Sequence, residues 1–239
     1  MVSRYVIELI ARRIAGDIVW SDNVGSAMRK WREIFGASQT DVAKIMGISP
    51  SVVSDYEKGR RTPGVKFIKR FVEALIKVDN ERGWVVCKEL IKSLNLNPEV
   101  IIDIRELDKP MNLDTFVTLV KGCLLTSTHS QKIIYGYTVL DSIATIQSLS
   151  GNEFWQIMGL TTERALIFTK VTTGRSPMIA VRVAPVKPAA VVLHGPKKVD
   201  PLAIILAEKE KIPLILSLAS DVNELVNSLR TYARVKIIV

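Results

Sequence analysis

Residues 38–59 read SQTDVAKIMGISPSVVSDYEKG, and the organisation of the remaining chain follows from them. Gln39 to Met46 sets apolar Val42, Ala43, Ile45 and Met46 against polar Thr40, Asp41 and Lys44, the pattern of a short amphipathic helix. Gly47 stands where such a helix must stop, because glycine enters the left-handed region without a Cβ clash. Ser49-Pro50 then starts a second helix. A serine hydroxyl at the N-cap can accept from free amides of the next turn, and proline at the first helical position gives up a donor that had no partner. This second helix is expected to bury Val53 and Tyr56 and to turn Pro50, Ser51, Ser54 and Asp55 outward near its start. Two core helices joined by a tight turn would also suit any small helical domain, so the charge around them matters.

Between Gly25 and Lys77 there are eleven Lys and Arg residues against five Asp and Glu, a net +6 out of +9 for the whole chain. A basic segment of this kind is the footprint of a protein that neutralises phosphates. Lys58, Arg60 and Arg61 follow the second helix directly and are the expected phosphate clamps.

GISPSVVSDYEKGRRTPG (47–64) resembles the recognition segment of the lambda/Cro-repressor-like (XRE) helix-turn-helix family, and Gln39 stands at the position that opens the first helix of that motif. The resemblance implies phosphate contacts from Gln39 and Ser49 and base reading by Pro50, Ser51, Ser54 and Asp55 in the major groove. It also implies a partly buried ion pair between Arg32 and Glu57. Proline at the second recognition position departs from a hydrogen-bonding reader; contact there would be apolar, as to a thymine methyl. The run from about residue 21 to 79 is similar to an archaeal branch of transcriptional regulators carrying this motif, which covers roughly the first third of the chain.

At 239 residues the chain suggests two domains, and 48% hydrophobic content is ample for packed cores. No apolar run reaches the roughly 18–20 residues that cross a bilayer, and Arg4, Glu8, Arg12, Arg13 and Asp17 break the first twenty residues, so neither a membrane span nor a secretion signal is expected. A cytoplasmic protein is the expectation. Cys87 and Cys123 are far apart with no CxxC spacing, which argues against a disulfide framework or a zinc ribbon. Richness in Lys, Glu, Ile and Val with only four Gln hints at a thermophile.

Residues 3–19 place Val6, Leu9, Ile10, Ile14 and Ile18 on one stripe of a helix that needs a partner, either the DNA-binding domain or a second subunit. Asp22 is the expected cap of a helix to about Phe35, with Met28, Trp31, Ile34 and Phe35 inward. Thr62-Pro63 repeats the cap-plus-proline start for a helix over 64–78, and another helix is expected from about 80 to 94. This gives a helical DNA-binding domain over 1–95. Residues 96–132 read as a linker with a short extended segment and a connecting or dimerising helix over 112–125, whose apolar face is Phe116, Leu119, Val120, Cys123 and Leu124.

Residues 133–239 read as an α/β regulatory or dimerisation domain. Strands are expected at 133–140, 165–171, 178–184, 189–195, 213–217 and 235–239, and helices at 142–149, 201–210 and 221–232. TTGRSP (172–177) is read as the turn of a hairpin between the second and third of those strands. The β-α-β-α-β order after residue 189 implies parallel pairing with right-handed crossovers. Residues 191–229 are similar to DRTGG-type regulatory domains. The fold class expected is α+β overall, an all-α helix-turn-helix unit followed by an α/β unit with a partly parallel sheet.

Two loops of the second half could hold a small anionic or nucleotide ligand. His194, Gly195, Lys197 and Lys198 lie where a parallel strand hands over to a helix. Thr173, Gly174, Arg175 and Ser176 offer hydroxyls, a glycine and a guanidinium. A turn with solvated lysines and a plain hairpin are the simpler readings of both. Evidence for catalysis is thin: there is no Gx4GK[ST], GxGxxG or HExxH motif, and His129 and His194 are the only histidines. Trp155 and Met158 read as core residues. No metal and no cofactor is implied. The expectation is a non-enzymatic, sequence-specific transcriptional regulator that binds a double-stranded DNA operator as a homodimer. The rivals are a protein-interaction or general nucleic-acid-binding module, and a nucleotide-metabolism enzyme that regulates its own gene.

Overall fold

An apolar stripe of Val6, Ile10, Ile14 and Ile18, all buried, fixes the first helix, α1 (Arg4–Trp20), against α2 (Val24–Ile34) and α5 (Val65–Glu81). The structure is a computed structural model and describes residues 4–93, 100–127, 132–151, 154–155 and 163–232. Contacts divide the chain near residue 96 into a helical unit and an α/β unit. The stripe on α1 therefore buries itself within the helical unit. Asn23, one residue after the expected Asp22, caps α2 by accepting from the Ser26 amide at 2.9 Å. Met28 and Phe35, seven residues apart, are buried on one line of α2. Ile34 sits about 120° away from Met28 around the helix, and it is exposed where the spacing had it inward. Trp31 is half-buried and donates its Nε1–H to Asp17 at 2.6 Å.

The motif helices are α3 (Gln39–Met46) and α4 (Pro50–Glu57), joined through Gly47 at φ 65°. Gly64, not Thr62, is the N-cap of α5, and Thr62 and Pro63 belong to the connection before it. On α5, Ile68, Phe71, Val72 and Leu75 are buried as their spacing predicts, and half-buried Phe67 packs on Tyr56 with ring centroids 4.0 Å apart. That helix runs to Glu81, so the next one, α6 (Val85–Ser93), starts later than residue 80. Its start is set by buried Asp79, whose carboxylate accepts from the Val86 and Cys87 amides, both at 2.9 Å. Two orphan donors of α6 are satisfied by a residue of α5.

The second unit holds a six-stranded mixed sheet. Its strands are β1 (Ile101–Met111), β2 (Gly122–Leu124), β3 (Ile134–Asp141), β4 (Arg164–Thr169), β5 (Ala190–His194) and β6 (Leu214–Ser217), in spatial order β1-β3-β4-β5-β6-β2. The four central strands are parallel, with Gly136 opposite Arg164, Ala165 opposite Ala190 and Val191 opposite Leu214; β1 and β2 close the two edges antiparallel. Every residue of β4 and β5 is buried, the continuous burial of strands covered on both faces. Helices α8 (Ser142–Ser148), α9 (Arg175–Val183) and α10 (Pro201–Lys209) are the successive crossovers between β3, β4, β5 and β6. Crossovers of one hand between strands that neighbour in order place these three on one face. Helices α7 (Leu113–Leu119) and α11 (Val222–Tyr232) cover the other, through Phe116, Leu225 and Leu229 packed on Val139, Ile167, Val192 and Ile215.

Two sequence expectations change here. Residues 178–184 are not a strand: α9 covers them up to Val183, and Pro177, Met178 and Val181 are buried at helical spacing while Ile179, Arg182 and Val183 are exposed. The TTGRSP segment is accordingly the entry to a helix, with Gly174 as its N-cap at φ 85°, and not a hairpin turn. Residues 96–132, read as a linker and connecting helix, contain both edge strands and α7. The expected 112–125 helix stops at Leu119, and Lys121 at φ 48° turns the chain so that Gly122 to Leu124 pairs with β6. Arg105 and Asp103 are buried in β1, where Arg230 and Tyr137 hold Asp103 at 2.9–3.1 Å. The expected strand 235–239, His129 and Met158 lie outside the described residues. Trp155 is exposed and not a core residue.

Candidate nucleic-acid interface

The site is built from the two motif helices upward. Ser38 and Asp41 form a reciprocal capping box at the start of α3: the Ser38 hydroxyl accepts from the Asp41 amide at 3.0 Å, and Asp41 accepts from the Ser38 amide at 2.9 Å. Those bonds hold the Asp41 carboxyl below its ordinary range, the backbone amide of Ser38 contributing most. Ser49 occupies the N-cap of α4 with extended backbone, but its hydroxyl makes no capping bond; it lies 2.7 Å from the Ser51 hydroxyl. Both hydroxyls are exposed, and an uncapped N-terminus with exposed hydroxyls is a ready partner for a phosphate oxygen.

The far end of α4 is locked. Glu57, with a side chain 2% exposed, accepts two bonds from Arg32 of α2, Nε to Oε1 at 2.7 Å and Nη2 to Oε2 at 2.9 Å. It also accepts from Gln39 Nε2 of α3 at 2.8 Å. Arg32 donates in addition to the Ala37 carbonyl at 2.9 Å. One buried carboxylate thus ties α2, α3, α4 and the connection before α3 together. The bonds to Glu57 raise the pKa of Arg32. Gln39 is oriented by this contact, with its second amide hydrogen left for another acceptor. Gly25 of α2 makes the packing of α2 on α4 possible: a Cβ there would stand 2.4 Å from the Tyr56 carbonyl oxygen and 2.7 Å from that of Glu57.

Of the expected base-reading residues, Pro50 and Ser51 are exposed, and Ser54 and Asp55 are half-buried on the same helix. Lys58, Arg60 and Arg61 are exposed directly after it. Asp55 lies 3.4 Å from Arg60 and 3.6 Å from Arg61, two loose, largely exposed pairs that hold both guanidinium groups beside the helix. Two further arginines hold the motif together and carry no local signal in the sequence. Arg82 donates to the Phe35 and Gly36 carbonyls at 3.1 and 3.0 Å and lies 3.5 Å from Asp41, and Arg70 donates to the Met46 carbonyl.

The two loops named in the second unit meet at the carboxyl ends of β4 and β5. The Val171 amide donates to the His194 carbonyl at 3.2 Å, and the Asp200 amide to the Thr173 carbonyl at 2.8 Å. Arg175 is paired with Asp200, Nε and Nη2 lying 2.9 and 2.6 Å from Oδ2. Thr173, Arg175, Ser176, Gly195, Lys197 and Lys198 are exposed, whereas Gly174 and His194 are buried. His194 has Nε2 3.2 Å from the Ala219 carbonyl, and its buried Nδ1 has no hydrogen-bond partner among the described residues. Among the described residues, no group of three or more His, Cys, Asp and Glu could hold a metal ion, and no helix is long and apolar enough to cross a membrane. Cys87 is buried, and burial pushes its thiol pKa up; Cys123 is exposed.

A helix-turn-helix family profile matches residues 28–77, from within α2 to most of α5. An uncharacterized HTH-type transcriptional regulator from Archaeoglobus fulgidus is 51% identical over 223 residues, covering 92% of this chain and 96% of that protein. A second from Methanocaldococcus jannaschii is 46% identical over 228 residues, covering 93% and 94%. Among solved structures, the CBS and DRTGG domains of the regulatory region of Clostridium perfringens pyrophosphatase, complexed with the activator diadenosine tetraphosphate, match at a TM-score of 0.36 and 13% identity, over 49% of this chain and 46% of that one. Identity with the two archaeal proteins runs through both units, so the α/β unit is shared along with the motif, and the chain belongs to the HTH-type transcriptional regulators.

Proposed function

We propose that this DNA-binding regulator reads a specific operator as a homodimer, with Pro50, Ser51, Ser54 and Asp55 on base edges and Gln39, Ser49, Lys58, Arg60 and Arg61 on phosphates. The observation that carries this reading is the lock on Glu57. It fixes one end of α4 to α2 and α3 and leaves the other end, with its hydroxyls and uncapped amides, facing outward. Rigid placement of a short helix is what base reading requires, since a misplaced donor reads nothing. Arg60 and Arg61 are held by Asp55 in pairs weak enough to be exchanged for phosphates. Two copies would place two recognition helices about 34 Å apart, one turn of the duplex. The α/β unit supplies dimerisation in this reading.

A ligand role for the α/β unit is favoured by one specific arrangement: loops 172–176 and 194–198 converge at the carboxyl ends of parallel strands, where such sheets bind ligands. The chemistry of the loops suits a small anion or nucleotide: Lys197 and Lys198 are exposed in one, and the other leads into the N-terminus of α9, which has no side-chain cap. Retention or loss of operator affinity on titration with inorganic phosphate and mononucleotides decides this part.

Base reading and phosphate positioning separate by mutation. Arg61→Ala is expected to weaken binding to all duplexes about equally and to lower the salt slope by about one. Ser51→Ala is expected to change preference at particular positions by about 1–3 kcal/mol while leaving the salt slope unchanged. Fluorescence anisotropy against a set of duplexes at several salt concentrations reads both quantities. Equal losses from both substitutions on every duplex would overturn the assignment.

A further inference from the structure

The three crossover helices of the α/β unit each carry a second apolar stripe, on the side away from the sheet. On α8 it is Ile143 and Ile146, on α9 Ile179 and Val183, and on α10 Leu202 and Ile205, spaced three or four residues apart and exposed by 39% (Leu202) to 66% (Ile146). Residues three and four apart stand on one helix face. The stripes adjoin: α9 packs on α10, and α8 and α9 line a common cleft of about 210 Å³ with Leu149, Trp155, Ala180 and Val183 in its walls. The core-facing side of each helix is already occupied, by Thr145, by Met178 and Val181, and by Ala203, Leu206 and Ala207. Exposed stripes on three adjacent helices are therefore not needed for the fold of one chain.

Few charges stand around this face, with Lys209 exposed at the end of α10. Helix α8 has none. Arg175 is paired with Asp200, Arg182 lies 3.9 Å from Glu210, and Glu208 accepts from Ser127. Apolar side chains outnumber charges on this face, so an apolar partner face complements it better than a nucleic acid or a strongly charged partner does. The six residues together present on the order of 500 Å², within the range for the largest patch on a monomer, about 300–600 Å². A standard interface takes about 800 Å² from each partner, of which some 56–65% is apolar. The patch supplies that apolar share in full.

We propose that the outer face of α8, α9 and α10 is the surface through which two copies of this chain pair. The proposal rests on the homodimer reading above and gives it a location. The contact is isologous, with α9 central because α8 and α10 flank it, so Ile179 and Val183 lie near the two-fold axis and meet their own copies. The cleft between α8 and α9 receives apolar side chains of the partner.

Sedimentation velocity on the full chain at micromolar concentration tests it. The unaltered protein is expected at twice 26.6 kDa. Val183→Glu and, separately, Ile205→Glu are expected to raise the dimer Kd at least 100-fold and to sediment as monomers, with far-ultraviolet circular dichroism unchanged because both positions are half-exposed or more. The double substitution Val183→Ser with Ile205→Ser is milder and gives the same result if a glutamate variant fails to fold. If the unaltered protein is dimeric and the folded variants remain dimeric, the surface is wrong and the homodimer reading stands. If the unaltered protein is monomeric at every concentration, the homodimer reading falls and the surface with it.

Discussion

Glu57 shows how much one side chain can decide. A carboxylate 2% exposed is stable in that position only because Arg32 and Gln39 supply three donors to its two oxygens. Removing the larger partner leaves a buried charge with one neutral donor. Arg32→Ala is therefore expected to destabilise the helical unit by about 3–5 kcal/mol, read as a fall in the midpoint of urea unfolding. Arg32→Lys should recover only part of this, because a point charge cannot make the two-armed contact that the guanidinium makes. An unaltered midpoint for Arg32→Ala would show that the pair does not hold the unit together. Asp55 works at the other extreme: its contacts with Arg60 and Arg61 are long and exposed, and they orient the two cations without committing them. The difference between the two carboxylates is burial, which makes one structural and leaves the other available.

At the scale of elements, close approach of α2 to the end of α4 depends on the missing side chain at Gly25. Gly25→Ala puts a methyl 2.4 Å from the Tyr56 carbonyl oxygen, which is backbone and cannot turn aside. The helices must separate, at a cost of about 1–3 kcal/mol, and the Arg32 contact with Glu57 must stretch with them. Thermal unfolding and operator affinity should fall together; a variant as stable as the parent would mean that α4 is not held by α2. The motif helices were legible in the sequence because their signals are local: Gly47 at φ 65°, proline at the start of α4, and apolar residues at helical spacing. The caps were less so. Asn23 and Gly64, and Asp79 reaching the start of α6, replace the neighbours that sequence spacing favoured, because several nearby polar residues can cap and only packing selects one. Helix α9 was missed for a different reason. Met178 to Ala184 is a short apolar run with three branched residues, which fits a strand or a helix equally well until neighbours are known. Strand β1 was obscured by its acidic residues: Asp103 is buried and held by Arg230, Tyr137 and Arg105, and Glu106 pairs with Arg164. In the motif, the pairing of Arg32 with Glu57 came from family resemblance; the contacts of Arg70 and Arg82 join residues 24 and more apart and had no local mark.

For the whole molecule, the helical unit carries the basic segment and the reading helix, and the α/β unit carries paired charges, converging loops and an exposed apolar face. In the function proposed above, one unit finds DNA and the other pairs copies and takes a ligand. In that function α4 reads sequence, and two copies do so together. Selection of bound sequences from a random duplex library, with the full chain at near-physiological salt, tests that claim most directly. The expected result is enrichment of a pseudo-palindrome whose half-sites are centred about one helical turn, roughly 10 base pairs, apart. Salt-sensitive binding with no enriched sequence would contradict it, and would mean that the basic segment holds nucleic acid without reading it.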